Sequence, residues 1–190
     1  GRSATIGRLM LVQPLAIPDV LLLAPQVHGD ARGFVYESFH QARFDAAVGR
    51  SVRFVQDNHS KSGAGVLRGL HYQLGQPQGK LVRVVAGSVF DVAVDLRRNA
   101  PSFGRWVGEV LSSENCRQMW IPEGFAHGFL VLSESAELLY KATDYWAPQH
   151  EHCIAWDDPQ LAVAWPLQHP PLLSAKDLHG TAFADAPVFD

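Results

Sequence analysis

The eight residues Val89-Phe90-Asp91-Val92-Ala93-Val94-Asp95-Leu96 constrain the fold more than any other stretch of the chain. Phe90, Val92, Val94 and Leu96 alternate with Val89, Asp91, Ala93 and Asp95 at a period of two, which is the repeat of a β-strand and not of a helix. One face is wholly apolar. The other carries two carboxylates among small residues, so one side is expected in a core and the other against water or a polar cavity.

Further runs of the same kind surround it. Residues 80–85 form a β-rich segment joined to this one by Ala86-Gly87-Ser88, a glycine-bearing turn suited to a hairpin. Segments 105–111, 117–121, 128–132 and 136–142 are separated by Ser112-Ser113-Glu114-Asn115, Pro122-Glu123-Gly124 and Ser133-Glu134-Ser135, all of turn composition. Short, evenly punctuated strands indicate an all-β sandwich or barrel. A brief helix is expected over 41–48, with a single turn near 113–116. The tail from Pro166, rich in Pro, His and Ala, is expected to wrap the domain rather than extend its sheets.

At 190 residues with 47% hydrophobic and 18% charged, the chain suits one soluble domain. That domain is read as residues 10–190, because Met10 is a natural initiator and residues 1–9 read as an appended or disordered extension. A net charge of -3 with no basic stripe argues against a nucleic-acid partner. No apolar run approaches the roughly 20 residues that span a bilayer, so no membrane partner is expected. Cys116 and Cys153 lie in no C-x-x-C pair, which fits reduced thiols and a cytoplasmic location.

His71 and Lys80 sit on neighbouring apolar strand segments, Gly69-Leu70-His71-Tyr72-Gln73 and Gly79-Lys80-Leu81-Val82-Arg83-Val84. A histidine titrates near neutral pH, and a lysine withdrawn from water can hold a developing oxyanion. Arg32, among small residues ahead of the strand-like segment 34–39, and Arg68 beside His71 are of the type that grips a diphosphate. A regular strand would send Arg68 and His71 to opposite faces. Gly69 between them could mark a bulge that re-aims one of them.

Pro122-Glu123-Gly124-Phe125-Ala126-His127 resembles the second half of the cupin signature. In metal-binding cupins the first half supplies His-x-His and a glutamate. Here it reads His71-Tyr72-Gln73, with no acidic residue before Lys80, so no metal site is expected.

Nine segments together resemble one family. They are Asp30-Ala31-Arg32-Gly33, residues 56–60, 65–73, 80–84, 87–92 and 101–104, Ile121 to Phe129, Leu139-Tyr140-Lys141, and Leu173-Ser174-Ala175-Lys176-Asp177. They follow the order of the dTDP-4-dehydrorhamnose 3,5-epimerases, cupin-like nucleotide-sugar epimerases. The resemblance implies a jelly-roll barrel of two packed antiparallel sheets with a few short helices, and a homodimer that exchanges N-terminal strands. It implies a dTDP-4-keto-6-deoxyhexose substrate, inverted at C3 and C5 without cofactor or metal.

By the same resemblance His71 is the base, Asp177 orients it, Lys80 faces the sugar O4 with Asp91 helping to place its ammonium, and Tyr140 is the acid on the other face. Arg32, Glu37, Gln56, Asn58, Arg68 and His127 map onto substrate contacts, and Tyr145 or Trp146 onto the ring that stacks on the nucleotide base. A mono-epimerase acting at C3 or C5 alone, or a non-catalytic nucleotide-sugar-binding cupin, would carry much of the same pattern.

Overall fold

The structure, a computed structural model, describes residues 4–5 and 10–190; the reading of residues 1–9 as an extension thus lies largely outside the described residues. The strands are β1 (Ala4–Thr5), β2 (Met10–Pro14), β3 (Leu21–Pro25), β4 (His28–Asp30), β5 (Gly33–Val35), β6 (Gln56–Gly63) and β7 (Leu67–Gln73). They continue with β8 (Lys80–Ala86), β9 (Ser88–Asp95), β10 (Trp106–Ser112), β11 (Gln118–Ile121), β12 (Phe125–Val131), β13 (Ser135–Ala142) and β14 (Glu151–Cys153). Two short α-helices, α1 (Gln41–Val48) and α2 (Ala175–Leu178), interrupt them.

The strands named pair antiparallel with one another. One sheet runs β1-β2-β3-β11-β8-β13-β6, the other β10-β9-β12-β7-β14, and β4-β5 form a separate hairpin. The two large sheets face each other across a core of Val82, Val84, Met119, Ile121 and Leu138 from one and Val89, Ala93, Leu111, Phe125 and Phe129 from the other. This is the jelly-roll architecture that the spacing of strands predicts.

β9 is inverted relative to the simplest expectation from its sequence. The Val89 and Ala93 face, which carries Asp91 and Asp95, lies between the sheets. The wholly apolar face of Val92, Val94 and Leu96 points outward, where Ile154, Leu161, Phe183 and Ala186 of the C-terminal segment cover it. Both faces of β9 are therefore buried, one by the opposite sheet and one by the wrapping tail. The tail adds isolated bridges, Val66 to Leu172, Ile154 to Thr181 and Arg97 to Phe189, but no strand of its own after β14.

The outer face of the larger sheet is closed by α1, whose Phe44 joins Phe39, Phe54 and Trp120 in an aromatic cluster. His40 caps the helix start and Gly49, at φ +82°, ends it. The strand expected over 34–39 stops at Val35: past it the chain leaves the hairpin so that Phe39 can reach this cluster, and the Ser38 carbonyl accepts from Gln118 Nε2 at 2.8 Å.

Candidate active site

The polar residues of the interior gather at one end of the barrel. On β12, His127 pairs directly with His71 on β7 and with Ala93 on β9. On β13, Tyr140 pairs with Asn58 on β6 and with Val82 on β8, the strand that Lys80 begins. One sheet thus supplies the histidines and the other the lysine and the tyrosine.

Gly69 sets the direction of the first group. Between the pairs His127 to His71 and Phe129 to Arg68, β12 spends two residues and β7 three, so β7 carries a bulge at Gly69-Leu70. Gly69 has φ +121°, and its backbone lies so close to β12 that a Cβ there would fall 2.6 Å from Gly128 Cα and 2.7 Å from the His127 carbonyl oxygen. Only glycine fits. The bulge lets Leu70 and Tyr72 join the outer core while Arg68 reaches Ser62 Oγ on β6 at 2.9 Å.

His71 Nε2 lies 2.5 Å from Asp177 Oδ1. Asp177 sits on α2 and is 3% exposed; it also accepts from the Gly69 N–H at 3.2 Å, and Ser174 Oγ donates to its other oxygen at 2.7 Å. Burial pushes this carboxyl up, but the bonds from His71, Ser174 and Gly69 outweigh burial and hold it at about 2. An ionised carboxylate accepts only, so His71 presents Nε2–H to it and keeps the Nδ1 lone pair free. Burial lowers the His71 pKa despite the neighbouring charge of Asp177, which keeps the ring a neutral base at neutral pH.

Lys80 is 8% exposed. Burial lowers its ammonium from 10.5 to about 8, against the opposing charges of Asp91 and Glu151. Among the described residues no carboxylate lies within ion-pair distance of its Nζ, which sits 5.7 Å from the centre of the Tyr140 ring. Asp91, expected to place this ammonium, makes no contact with it and acts on it only through charge: the Asp91 carboxylate takes its hydrogen bond from His127 Nε2, at 2.7 Å, and its other oxygen has no donor among the described residues. Tyr140, beside Asn58, is pushed up chiefly by burial and stays a phenol at neutral pH.

The rim is built from the loop after β13. Tyr145 and Trp146 are each 59% exposed, and the Trp146 N–H donates to Gln56 Oε1 at 3.0 Å. Gln73, buried two residues after His71, braces this loop: its Oε1 accepts from the Ala147 N–H at 2.8 Å, and its Nε2 donates to the carbonyls of Tyr145 at 3.1 Å and Gln76 at 2.8 Å.

Glu151 on β14 accepts from Trp146 Nε1 at 3.4 Å and pairs with Lys176, and their charges act on Lys80 and His71. Sequence reading missed Gln73, Glu151 and Lys176 as site residues. Gln73 and Lys176 lay inside recognised segments, whereas nothing local marks Glu151, on a three-residue strand.

Arg32 and Glu37 are not brought to this cavity within one chain. Arg32 is at the tip of the β4-β5 hairpin, its side chain 90% exposed and paired with Asp30 at 2.5 Å; Glu37 pairs with Arg43. A cavity of about 310 Å³ beside the larger sheet is lined by Phe39, His59, Leu81, Arg83 and Lys141, and Asn58 and Tyr140 border it as well.

A jelly roll whose facing sheets carry a carboxylate-held imidazole on one side and a buried lysine and a tyrosine on the other has the fold and residue types of a cupin-like enzyme. Residues 14–185 match the family model for dTDP-4-dehydrorhamnose 3,5-epimerase. A dTDP-4-dehydrorhamnose 3,5-epimerase of Pseudomonas aeruginosa is 67% identical over 175 residues, covering 92% of this chain and 97% of that protein. The dTDP-6-deoxy-D-glucose-3,5-epimerase of Legionella pneumophila Philadelphia 1, solved with dTDP-4-keto-L-rhamnose, superposes with a TM-score of 0.92 at 52% identity, over 94% of this chain and 95% of that one. A 3'-monoepimerase of Streptomyces bikiniensis, solved with dTDP-quinovose, is also similar, with a TM-score of 0.85 at 34% identity over 90% of this chain and 87% of that one. The chain belongs to the dTDP-4-dehydrorhamnose 3,5-epimerase family.

Proposed function

We propose that this protein converts dTDP-4-dehydro-6-deoxyglucose to dTDP-4-dehydro-L-rhamnose by inverting C3 and C5 of the sugar. The observation that carries the reading is that His71, held by Asp177, lies on one of two facing sheets and Tyr140, with Lys80, on the other. Both carbons flank the C4 ketone. Removing either hydrogen gives an enolate whose charge rests on O4.

His71 Nδ1 takes the proton, and Asp177 stabilises the imidazolium that forms. The Lys80 ammonium, buried with no carboxylate in ion-pair range among the described residues, meets the charge developing on O4. Tyr140 returns a proton from the opposite face, and the step repeats at the second carbon. The net change is proton transfer alone, so the chemistry calls for no redox cofactor and no metal. Arg68 suits the diphosphate, Gln56, Asn58 and His127 suit the sugar and nucleotide, and Trp146 or Tyr145 suits the base as a stacking face. The identity to a 3,5-epimerase, 67% against 34% to a 3'-monoepimerase, favours double inversion.

Incubation with dTDP-4-keto-6-deoxyglucose in D2O, read by NMR, tests this. Deuterium at both C3 and C5 is expected; deuterium at one carbon gives a mono-epimerase, and none at either sinks the enzyme reading.

The active unit is a homodimer with exchanged N-terminal segments. Supporting this, the β4-β5 hairpin leaves Phe34 and Val35 66% and 69% exposed and carries Arg32 away from its own cavity. Mixing inactive Arg32→Ala and His71→Ala proteins restores activity if Arg32 serves the partner's site, and leaves both dead if it serves its own. A cytoplasmic location follows from a nucleotide-sugar substrate and is in keeping with the finding that no helix among the described residues is long and apolar enough to cross a membrane.

A further inference from the structure

Cys153 takes no part in this mechanism, yet it sits against the His71 and Asp177 pair. It is the cross-strand partner of His71, β14 against β7, and its Sγ lies 3.9 Å from Asp177 Oδ1. One ligand atom each from His71, Cys153 and Asp177 fall within 4.8 Å of one another, with Asp177 buried and the other two half-buried. We propose that these three side chains form a site for a soft divalent cation of the zinc class, and that filling it switches the base off.

The dimensions fit. Zinc holds nitrogen and oxygen at about 2.0–2.2 Å and sulfur at about 2.3 Å, which places tetrahedral ligand atoms roughly 3.3–3.7 Å apart. The Sγ to Oδ1 separation is already close to this at 3.9 Å, and the Nε2 to Oδ1 contact must open from 2.5 Å by about 1 Å. The donor set of one thiolate, one imidazole and one carboxylate leaves the fourth position open, where water or substrate can reach the ion.

The proton bookkeeping explains the silencing. The cation takes the Nε2 lone pair, so a neutral His71 must carry its proton on Nδ1, the atom that acts as base in the metal-free enzyme. The thiol gives its proton to solvent, and Asp177 exchanges the Nε2–H for the metal. The ring then has no lone pair left for the sugar. Loss of activity rests on the epimerase reading; binding of the cation does not.

Titration of the intact protein with Co2+ and Zn2+ tests both halves. Expected are one ion per chain, a sulfur-to-cobalt charge-transfer band, proton exchange lost in step with occupancy, and recovery on adding a chelator. Cys153→Ser should keep metal-free turnover, abolish the band and weaken binding at least about tenfold, while Cys116→Ser, altering a buried thiol elsewhere, should change neither. Cobalt bound without a sulfur band, or an unchanged titration in Cys153→Ser, overturns the site. The full band with undiminished turnover overturns the silencing. If no substrate is turned over by the metal-free protein, the band and the two cysteine variants still decide the site on their own.

Discussion

Replacing Lys80 by Met should make the protein more stable and much less active, and the size of the first effect follows from the structure. Lys80 is buried, and its ammonium has no carboxylate in ion-pair range among the described residues. Its fall from 10.5 to about 8 corresponds to roughly 3 kcal/mol against the charged form at 1.36 kcal/mol per pH unit. Met fills nearly the same volume without a charge, so at pH 7 Lys80→Met should gain up to roughly 3 kcal/mol in urea unfolding followed by tryptophan fluorescence.

The sign with pH is fixed. Between pH 8 and 10.5 the folded protein binds fewer protons at this site than the unfolded chain, so wild-type stability rises with pH through that window. The advantage of Lys80→Met should shrink to roughly 1 kcal/mol near pH 9.5. Turnover moves the other way: losing an oxyanion partner costs about 10²–10³ in rate, and wild-type activity should fall as pH passes about 8. A variant less stable than wild type at pH 7, or a stability gap that ignores pH, would refute the claim that Lys80 is held charged at a cost.

Three further substitutions probe the rest of the site. Gly69→Ala puts a Cβ 2.6 Å from Gly128 Cα; it should lower stability by about 3 kcal/mol or more in thermal unfolding and reduce exchange with it, and a neutral outcome would mean that the bulge is not tight. Asp177→Asn removes the carboxylate that fixes the His71 tautomer, so kcat should fall by about 10²–10⁴ while dTDP affinity, read by calorimetry, changes little. Gln73→Glu keeps the shape but loses the two donors that hold the Tyr145 and Gln76 carbonyls; KM should rise about tenfold with kcat within about twofold, and an effect on kcat alone would place Gln73 in the chemistry rather than under the rim.

What the sequence made legible divides along physical lines. Strands with an apolar rhythm, β8 to β13, were readable because burial of one or both faces dictates their pattern. β6, Gln-Asp-Asn-His-Ser-Lys-Ser-Gly, has no such rhythm and was not readable as a strand, since its inward residues Asn58, Ser60 and Ser62 are as polar as Asp57, His59 and Lys61 on its outward face. The motif-bearing residues His71, Lys80, Tyr140 and Asp177 were found as a set. Glu151 was not, because a three-residue strand leaves no periodicity and its role arises only when Trp146 and Lys176 fold onto it.

Several of the places where local rules are broken lie in the interior between the two sheets, around His71 and Lys80. Gly69 spends a backbone conformation that few residues tolerate, Lys80 keeps a charge where burial opposes it, β6 gives up apolar side chains within a core sheet, and one Asp91 oxygen is buried without a donor. The outer face of β9 shows the opposite economy, with every side chain apolar and covered by the C-terminal segment. A fold selected for stability alone would have no reason to gather such costs at one end of a barrel. Three of them suit the proposed proton transfer: the bulge brings Arg68 and His71 to one side, the polar strand sets Asn58 beside Tyr140, and the Lys80 ammonium, with no carboxylate in ion-pair range among the described residues, is available to an oxyanion that would exist only during the reaction.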